Sequence, residues 1–139
     1  MREAQLVSGW MTEHPVTVEP DEPVVDAYAL MTQHSIRHLP VVEGGRLVGI
    51  LSNRDLYRAS PRFGGKSHRA VAALFRTPVR EVMTREGLLT VEPTTTVAEA
   101  ARLLIEAKVS SLPVLEGERL VGIITSEDLL RALLEQAAV

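Results

Sequence analysis

The chain contains no cysteine, and only 4% of its 139 residues are aromatic. Without cysteine there can be no disulfide framework, no thiolate nucleophile and no cysteine-based zinc site. Because aromatic side chains are scarce, Val, Leu, Ile and Ala must supply most of the packing. Hydrophobic residues make up 45% of the chain, which is ordinary for a globular protein long enough to bury a core.

Long apolar runs and a strong charge imbalance are also missing. No run approaches the length needed to cross a bilayer, and residues 1–6 lack the apolar stretch of a signal peptide. The net charge of −3 gives no general reason to bind nucleic acid or an anionic membrane. These features together predict a cytoplasmic protein that does not act at a membrane.

The sequence does contain an internal repeat. Residues 17–56 recur without gaps at 90–129, and nineteen of the forty aligned pairs are identical. This similarity indicates one supersecondary unit used twice. Two such copies are expected to pack about a pseudo-twofold axis, and the clefts where they meet would come in pairs.

Each copy has the same predicted order of elements, β-α-β-β-α. An extended piece at 16–18 or 89–91 precedes a helix, and Thr96 and Glu99 have the spacing of a capping box for the second of these helices. A strand beginning Leu-Pro-Val, a tight turn containing glycine and a strand reading Leu-Val-Gly-Ile come next. A second helix closes the unit.

A hydroxyl and a carboxylate stand three residues apart where that second helix begins, as Ser52 and Asp55 in one copy and Thr125 and Asp128 in the other. Such a hydroxyl and the backbone N–H groups beside it can hold a phosphate, and the carboxylate can accept the hydroxyls of a ribose. The same pattern is typical of a plain helix cap with an acidic first turn. The pattern alone leaves both interpretations open.

The segment that joins the copies is basic. It has no Asp or Glu between residues 56 and 80, but it contains Arg58, Arg62, Lys66, Arg69, Arg76 and Arg80. Such a segment is either a solvated linker or a partner for a polyanion or a phosphate-bearing ligand.

The order and duplication of these motifs resemble a tandem pair of CBS domains, also called a Bateman module. They are Met-Thr, Thr-Val-x-Pro, Ala-x-x-Leu-Met, Ile-Arg-His-Leu-Pro-Val-Val, Leu-Val-Gly-Ile and Ser-x-x-Asp-Leu. The resemblance divides the chain into repeat 1 at 1–60, a basic linker at 61–78 and repeat 2 at 79–139. It implies an α+β fold of two pseudo-twofold-related β-α-β-β-α units, with their sheets packed face to face and their helices outside.

Proteins similar in this way bind adenosine-containing ligands in clefts between their two copies. In the cleft with Asp55, the resemblance implies that this carboxylate binds ribose and that Ser52 binds phosphate. Arg37 and His38 stand where similar proteins often place a basic phosphate-binding side chain. Adenine would lie against four residues of the second copy: Leu89, Val109, Ser110 and Ser111.

The other cleft would use Asp128 and Thr125 in the same roles. The residues around its base would be Val16, Ile36, Arg37 and His38. Ser110 and Ser111 occupy its phosphate position without a positive charge, and Glu127 stands where the first copy has Arg54. A nucleotide phosphate is therefore expected to prefer the Asp55 cleft.

The leading hypothesis is a stand-alone regulatory module that is not an enzyme and requires no cofactor. It would bind AMP, ADP or ATP, or else S-adenosylmethionine, form a homodimer, and signal to a separate effector protein that the sequence does not identify. The alternatives are a ligand-free protein–protein scaffold and a nucleic-acid binder that uses the basic 58–80 connection.

Catalysis and metal binding find little support in the sequence. There is no nucleophile with a neighbouring base, no phosphate-binding glycine loop and no pair of catalytic carboxylates, because Asp55 and Asp128 belong to separate clefts. His34 and His38 are four residues apart, but the helix is expected to end between them, and no third ligand is evident. We therefore predict no metal site.

Overall fold

A computed structural model describes residues 5–59 and 67–138 and contains two compact units. The first unit is Val16–Leu88, and the second combines Met1–Pro15 with Leu89–Val139. The elements, in chain order, are β1 (Thr12–Glu13), α1 (Val24–His34), β2 (His38–Glu43), β3 (Arg46–Ser52), α2 (Asn53–Ala59), α3 (His68–Arg76), α4 (Val97–Ala107), β4 (Ser111–Glu116), β5 (Arg119–Thr125) and α5 (Ser126–Ala137), with short 3₁₀ turns at Val7–Gly9 and Val79–Glu81.

The first unit is built on the antiparallel hairpin of β2 and β3. The predicted extended piece at 16–18 is not a full strand, because only Val18 joins the hairpin, as a single parallel bridge to Val41. The backbone N–H of Val18 donates to Pro40, and that of Val42 donates to Val18. Pro20, two residues further on, has no N–H with which to extend the pairing.

The second unit repeats this hairpin with β4 and β5 and adds β1 to the other side of β5. Val91 forms the parallel bridge to Val114 that corresponds to the Val18 bridge. The Met-Thr segment near the start of repeat 1 therefore packs in the second unit. In the first unit the matching pairing is a single bridge between Thr84 and Ile50. Each Met-Thr segment thus packs in a different unit from the hairpin of its own repeat.

A glycine in each hairpin allows this Met-Thr segment to cross closely. A Cβ atom on Gly49 would lie 2.6 Å from the sulfur of Met83 and 2.9 Å from the carbonyl oxygen of Thr84. A Cβ atom on Gly122 would lie 2.7 Å from the sulfur of Met11 and 2.9 Å from the Thr12 carbonyl oxygen. These separations are too short for a side chain, which explains the glycine in both Leu-Val-Gly-Ile strands.

The helices begin and end largely as their sequences indicate. Thr96 caps α4 by accepting a hydrogen bond from the Glu99 N–H, but the Glu99 carboxylate pairs with Arg102, so only one half of the predicted capping box is present. Helix α3 lies within the segment predicted as a basic linker, and Ser67 caps it. The other linker positions singled out above, Arg62 and Lys66, lie outside the described residues.

Each unit has its own aliphatic core, as the scarcity of aromatic residues requires. In the first unit the core includes the fully buried Leu39, Val41 and Leu51, and in the second Leu112, Val114 and Ile124 occupy the matching positions. Among the described helices, none combines the length and the apolar character needed to span a bilayer.

Candidate functional site

Asp55 is 7% exposed and lies in a closed hydrogen-bond pattern with Ser52 at the start of α2. The Ser52 N–H and hydroxyl both donate to Asp55 Oδ2, at 2.9 and 3.1 Å, and the Asp55 N–H donates back to the Ser52 hydroxyl at 3.2 Å. The helix-cap interpretation of this motif is therefore confirmed. Ribose binding by the same carboxylate stays a prediction.

Thr84 holds the other oxygen of this carboxylate. Its hydroxyl donates to Asp55 Oδ1 at 2.9 Å, across 29 positions of sequence. A carboxylate offers about four lone-pair sites, and the protein occupies three of those on Asp55. The sequence did not predict Thr84 as a site residue, although Thr84 belongs to the duplicated Met-Thr motif.

The second unit has the same cap at the start of α5. The Thr125 N–H and hydroxyl donate to Asp128 Oδ2 at 2.8 and 3.0 Å, and the Asp128 N–H donates to the Thr125 hydroxyl at 3.3 Å. Asp128 is 6% exposed. Its Oδ1 accepts from the guanidinium of Arg131 at 3.3 Å, so a charged donor stands where the first unit has the Thr84 hydroxyl.

Arg131 also pairs with Glu127 at 3.3 Å. The sequence expectation that Glu127 adds a second negative charge beside Asp128 is therefore modified, because one guanidinium serves both carboxylates. The difference in formal charge between the two units is unchanged, because the first unit also has an arginine at the matching position, Arg58. Positions 127, 128 and 131 are Glu, Asp and Arg, with a formal sum of −1, whereas 54, 55 and 58 are Arg, Asp and Arg, with a sum of +1.

The hairpin of the first unit brings two predicted phosphate contacts side by side. His38 and Ser52 are direct partners across β2 and β3, and the Asn53 N–H donates to the Arg37 carbonyl oxygen at 3.1 Å. Side chains of directly opposed residues lie on the same face of a hairpin, with their Cβ atoms about 5 Å apart. The unit thus gathers Arg37, His38, Ser52 and Asp55 at one end of the hairpin.

His38 is half-buried, and its pKa lies below the ordinary value of 6.5. Burial of the ring is the largest cause, followed by the positive charge of Arg37; Asp55 opposes the shift, and Arg54 adds to it. The neutral form of the imidazole is therefore favoured over the charged form.

The matching end of the second hairpin has no basic residue on β4. Ser111 is the direct partner of Thr125, and the Ser126 N–H donates to the Ser110 carbonyl oxygen at 3.0 Å. The geometry of the two ends is therefore alike, while Arg37 and His38 are replaced by two serines.

The predicted adenine contacts fall in both units. Val16 and Ile36 belong to the first unit, and Leu89 and Val109 to the second. Leu89 and Val109 are 39% and 44% exposed, which is high for aliphatic side chains. Their role stays a prediction.

An open cavity of about 380 Å³ lies elsewhere in the second unit. Its lining residues are Met11, Glu13, His14, Arg119, Leu120 and Val121. None of these belongs to the predicted nucleotide contacts. Within residues 5–59 and 67–138, no group of three or more His, Cys, Asp or Glu side chains is arranged to hold a metal ion.

Comparison with known families identifies the architecture. The sequence model of the CBS domain family matches residues 7–62 and, a second time, residues 79–135. The chain belongs to the CBS domain family. The matched segments follow the repeats in the sequence, whereas the compact CBS units exchange their Met-Thr segments.

Relatives of this chain include a protein that it covers for most of its length and much longer ones. The CBS domain-containing protein YhcV of Bacillus subtilis is 33% identical over 123 residues, which are 88% of this chain and 81% of YhcV. The inosine-5'-monophosphate dehydrogenase of Staphylococcus haemolyticus is 39% identical over 123 residues, but the chain spans only 22% of its length.

Two solved CBS structures resemble this fold and contain adenosine compounds. CBSX2 in complex with AMP has a TM-score of 0.79 and 30% identity, covering 94% of this chain and 97% of CBSX2. The CBS domain pair of MJ0100, in complex with 5'-methylthioadenosine and S-adenosyl-L-methionine, has a TM-score of 0.79 and 28% identity, with the same coverage.

Proposed function

We propose that this protein is a non-catalytic regulatory module that binds an adenosine nucleotide of the AMP, ADP or ATP class. A separate effector protein would respond to whether the nucleotide site is occupied. The resemblance to CBSX2, which was solved with AMP, supports the ligand class. The observation that carries the proposal is the convergence of Arg37, His38, Ser52 and Asp55 at one end of the first hairpin.

The chemistry of that convergence suits a nucleoside phosphate. Asp55 retains acceptor capacity on Oδ1 for a ribose hydroxyl, and charge-assisted hydrogen bonds of this kind contribute about 1.5–3 kcal/mol. The Arg37 guanidinium can pair with two phosphate oxygens at once. The second unit keeps the carboxylate, but its serines bring no charge to a phosphate. Its preferred ligand would therefore carry less negative charge, as adenosine or S-adenosylmethionine does.

Catalysis is not part of the proposal. Asp55 and Asp128 each hold a helix cap with one oxygen and accept a further donor with the other, so neither is placed as a general base. The two carboxylates also belong to different hydrogen-bond sets.

A second copy of the chain is the partner that we propose for helix α5. Three leucines on this helix, Leu130, Leu133 and Leu134, are 59%, 60% and 70% exposed. Arg131 and the acidic residues of the same helix would rim such an interface with charges of both signs. A homodimer would bury these apolar side chains, whose exposure in a monomer is unfavourable.

A ligand panel tests the proposal. Thermal unfolding would be followed with AMP, ADP, ATP, adenosine, S-adenosylmethionine and NAD, with GMP as the matched control for the base. A ligand at 100 times its Kd stabilises the native state by about 2.7 kcal/mol. We expect AMP or ATP to raise Tm and GMP to leave it unchanged. No shift with any adenosine compound, together with no heat of binding in calorimetry, would favour the ligand-free scaffold.

A further inference from the structure

His38 occupies an unusual position within the proposed phosphate site. It begins β2, is half-buried, and lies directly opposite Ser52, whose hydroxyl is bound to Asp55. An imidazole beside a bound phosphate can be uncharged or cationic, and the difference alters the affinity for an anion. Ser111 occupies the matching position in the second unit and cannot change its charge.

Among the described residues, three charged groups shift the pKa of His38. Arg37 immediately precedes β2, Arg54 and Asp55 lie at the start of α2, and the opposite residue on β3 is the uncharged Ser52. Two of the three charges are positive, and the ring is partly removed from water. Both conditions favour the neutral imidazole while no anion is present.

We propose that His38 takes up a proton when a ligand phosphate binds beside it, so that discrimination between AMP and adenosine strengthens as the pH falls. This inference rests on the proposed function, because it concerns the phosphate of the same ligand. The proton comes from solvent and bonds to a ring nitrogen, and the imidazolium then donates toward the phosphate. The negative charge of a bound phosphate or sulfate beside the ring favours the imidazolium over the neutral imidazole.

The direction of the pH effect follows from the thermodynamic linkage between proton binding by His38 and binding of the ligand. The pKa of His38 lies below 6.5 in the free protein, and a bound phosphate raises it. Protons are therefore taken up on binding, and affinity rises as the pH falls from the bound pKa toward the free one. One linked proton limits this change to about tenfold per pH unit. Adenosine has no phosphate and should show no such dependence.

The ligand's own titration must be separated from that of His38, because a nucleotide phosphate has a second pKa near 6. Adenosine 5'-sulfate solves this problem, since its sulfate ester does not titrate near neutral pH. The matched variant is His38→Ser, which places the serine of the second unit at the same hairpin position. The unaltered protein and the His38→Ser variant would both also carry Asp128→Asn, which removes the second carboxylate and so favours binding at Asp55.

The experiment is calorimetry with AMP, adenosine 5'-sulfate and adenosine, in two buffers of different ionisation enthalpy, between pH 6 and 8. With adenosine 5'-sulfate we expect a net proton uptake and a several-fold rise in affinity toward pH 6, and AMP, whose own phosphate titrates in this range, should show a larger proton uptake with the unaltered protein than with His38→Ser. Adenosine should show neither effect, and His38→Ser should remove both for adenosine 5'-sulfate. Binding of AMP to the unaltered protein without His38-dependent proton uptake would overturn this inference and leave the proposed function standing. Absence of binding by all three ligands would overturn both.

A second measurement needs no ligand. Because the pKa of His38 is lowered on folding, the stability that its neutral form contributes is present above pH 6.5 and is lost as the pH falls through the folded-state pKa. Unfolding monitored by circular dichroism should show that the unaltered protein loses more stability than His38→Ser between pH 7 and 5. Parallel pH profiles would contradict a neutral His38 in the free protein.

Discussion

The two units share a hydrogen-bond scheme but differ in what surrounds it. Asp55 and Asp128 each accept two hydrogen bonds from a Ser or Thr three residues earlier, with lengths that agree within 0.1 Å. The remaining oxygen meets a neutral hydroxyl of Thr84 in the first unit and the Arg131 guanidinium in the second. Duplication therefore retained the cap, which each helix needs, while the charges that would select a ligand diverged.

The largest expected effect comes from removing the carboxylates one at a time. Asp55→Asn should weaken AMP binding by more than tenfold, because an amide cannot replace a charged acceptor for ribose hydroxyls. Asp128→Asn should have a smaller effect on AMP. Calorimetry of both variants compares their AMP affinities. Asparagine is chosen because its side chain keeps one oxygen that can accept the hydrogen bonds of the helix cap.

An alanine at these positions would confuse binding with folding. Loss of a cap costs about 0.5–2 kcal/mol of stability, so thermal unfolding of each variant is the necessary control. Equal losses of AMP affinity in folded Asp55→Asn and Asp128→Asn would contradict the proposed difference between the units.

A smaller effect is expected from Thr84, which we interpret as a residue that orients Asp55. Thr84→Val keeps the shape of the side chain but removes the hydrogen-bond donor. It should lower the affinities for adenosine and for AMP by the same few-fold factor, because both ligands carry the ribose. Thr84→Ser should restore binding. Tighter binding by Thr84→Val would instead mean that the Thr84 hydroxyl competes with the ribose for Asp55 Oδ1.

The corresponding change in the second unit is Arg131→Met, which keeps the aliphatic length but removes the charge shared by Asp128 and Glu127. Asp128 is buried, but the Arg131 side chain is 60% exposed, so solvent screens the interaction and limits its contribution to about 1 kcal/mol. We expect little change in AMP affinity and a stability loss within that limit. A clear gain or loss of AMP binding would show that the second unit has a larger part in nucleotide recognition than its charges suggest.

The sequence repeat was sufficient to predict the CBS fold, because the identical residues include those that shape each hairpin and its core. Leu39 and Leu112 are fully buried at matching positions, and the Leu-Pro-Val segments are strands. The exchange of the Met-Thr segments was not predicted. Local patterns indicate elements but do not say which of two similar hairpins a preceding segment will join.

The candidate site was partly predictable for the same reason. Ser52 and Asp55 are close in sequence, and their cap follows from spacing alone. The contact from Thr84 joins residues 29 positions apart, and the sharing of Arg131 depends on side-chain conformations. No local motif encodes the Thr84 contact, whereas Arg131 stands three and four residues after Asp128 and Glu127 on one helix, which is a local signal for these ion pairs.

The central claim is that Arg37 and His38 give the first unit its preference for a phosphate. The most direct test is the ratio of adenosine Kd to AMP Kd, measured by calorimetry at pH 7 in an Asp128→Asn background, with and without Arg37→Ser and His38→Ser together. These two changes reproduce the residues of the second unit. The account predicts that AMP binds at least tenfold more tightly than adenosine before the exchange and about equally afterwards. A ratio that stays the same in a folded variant would contradict it.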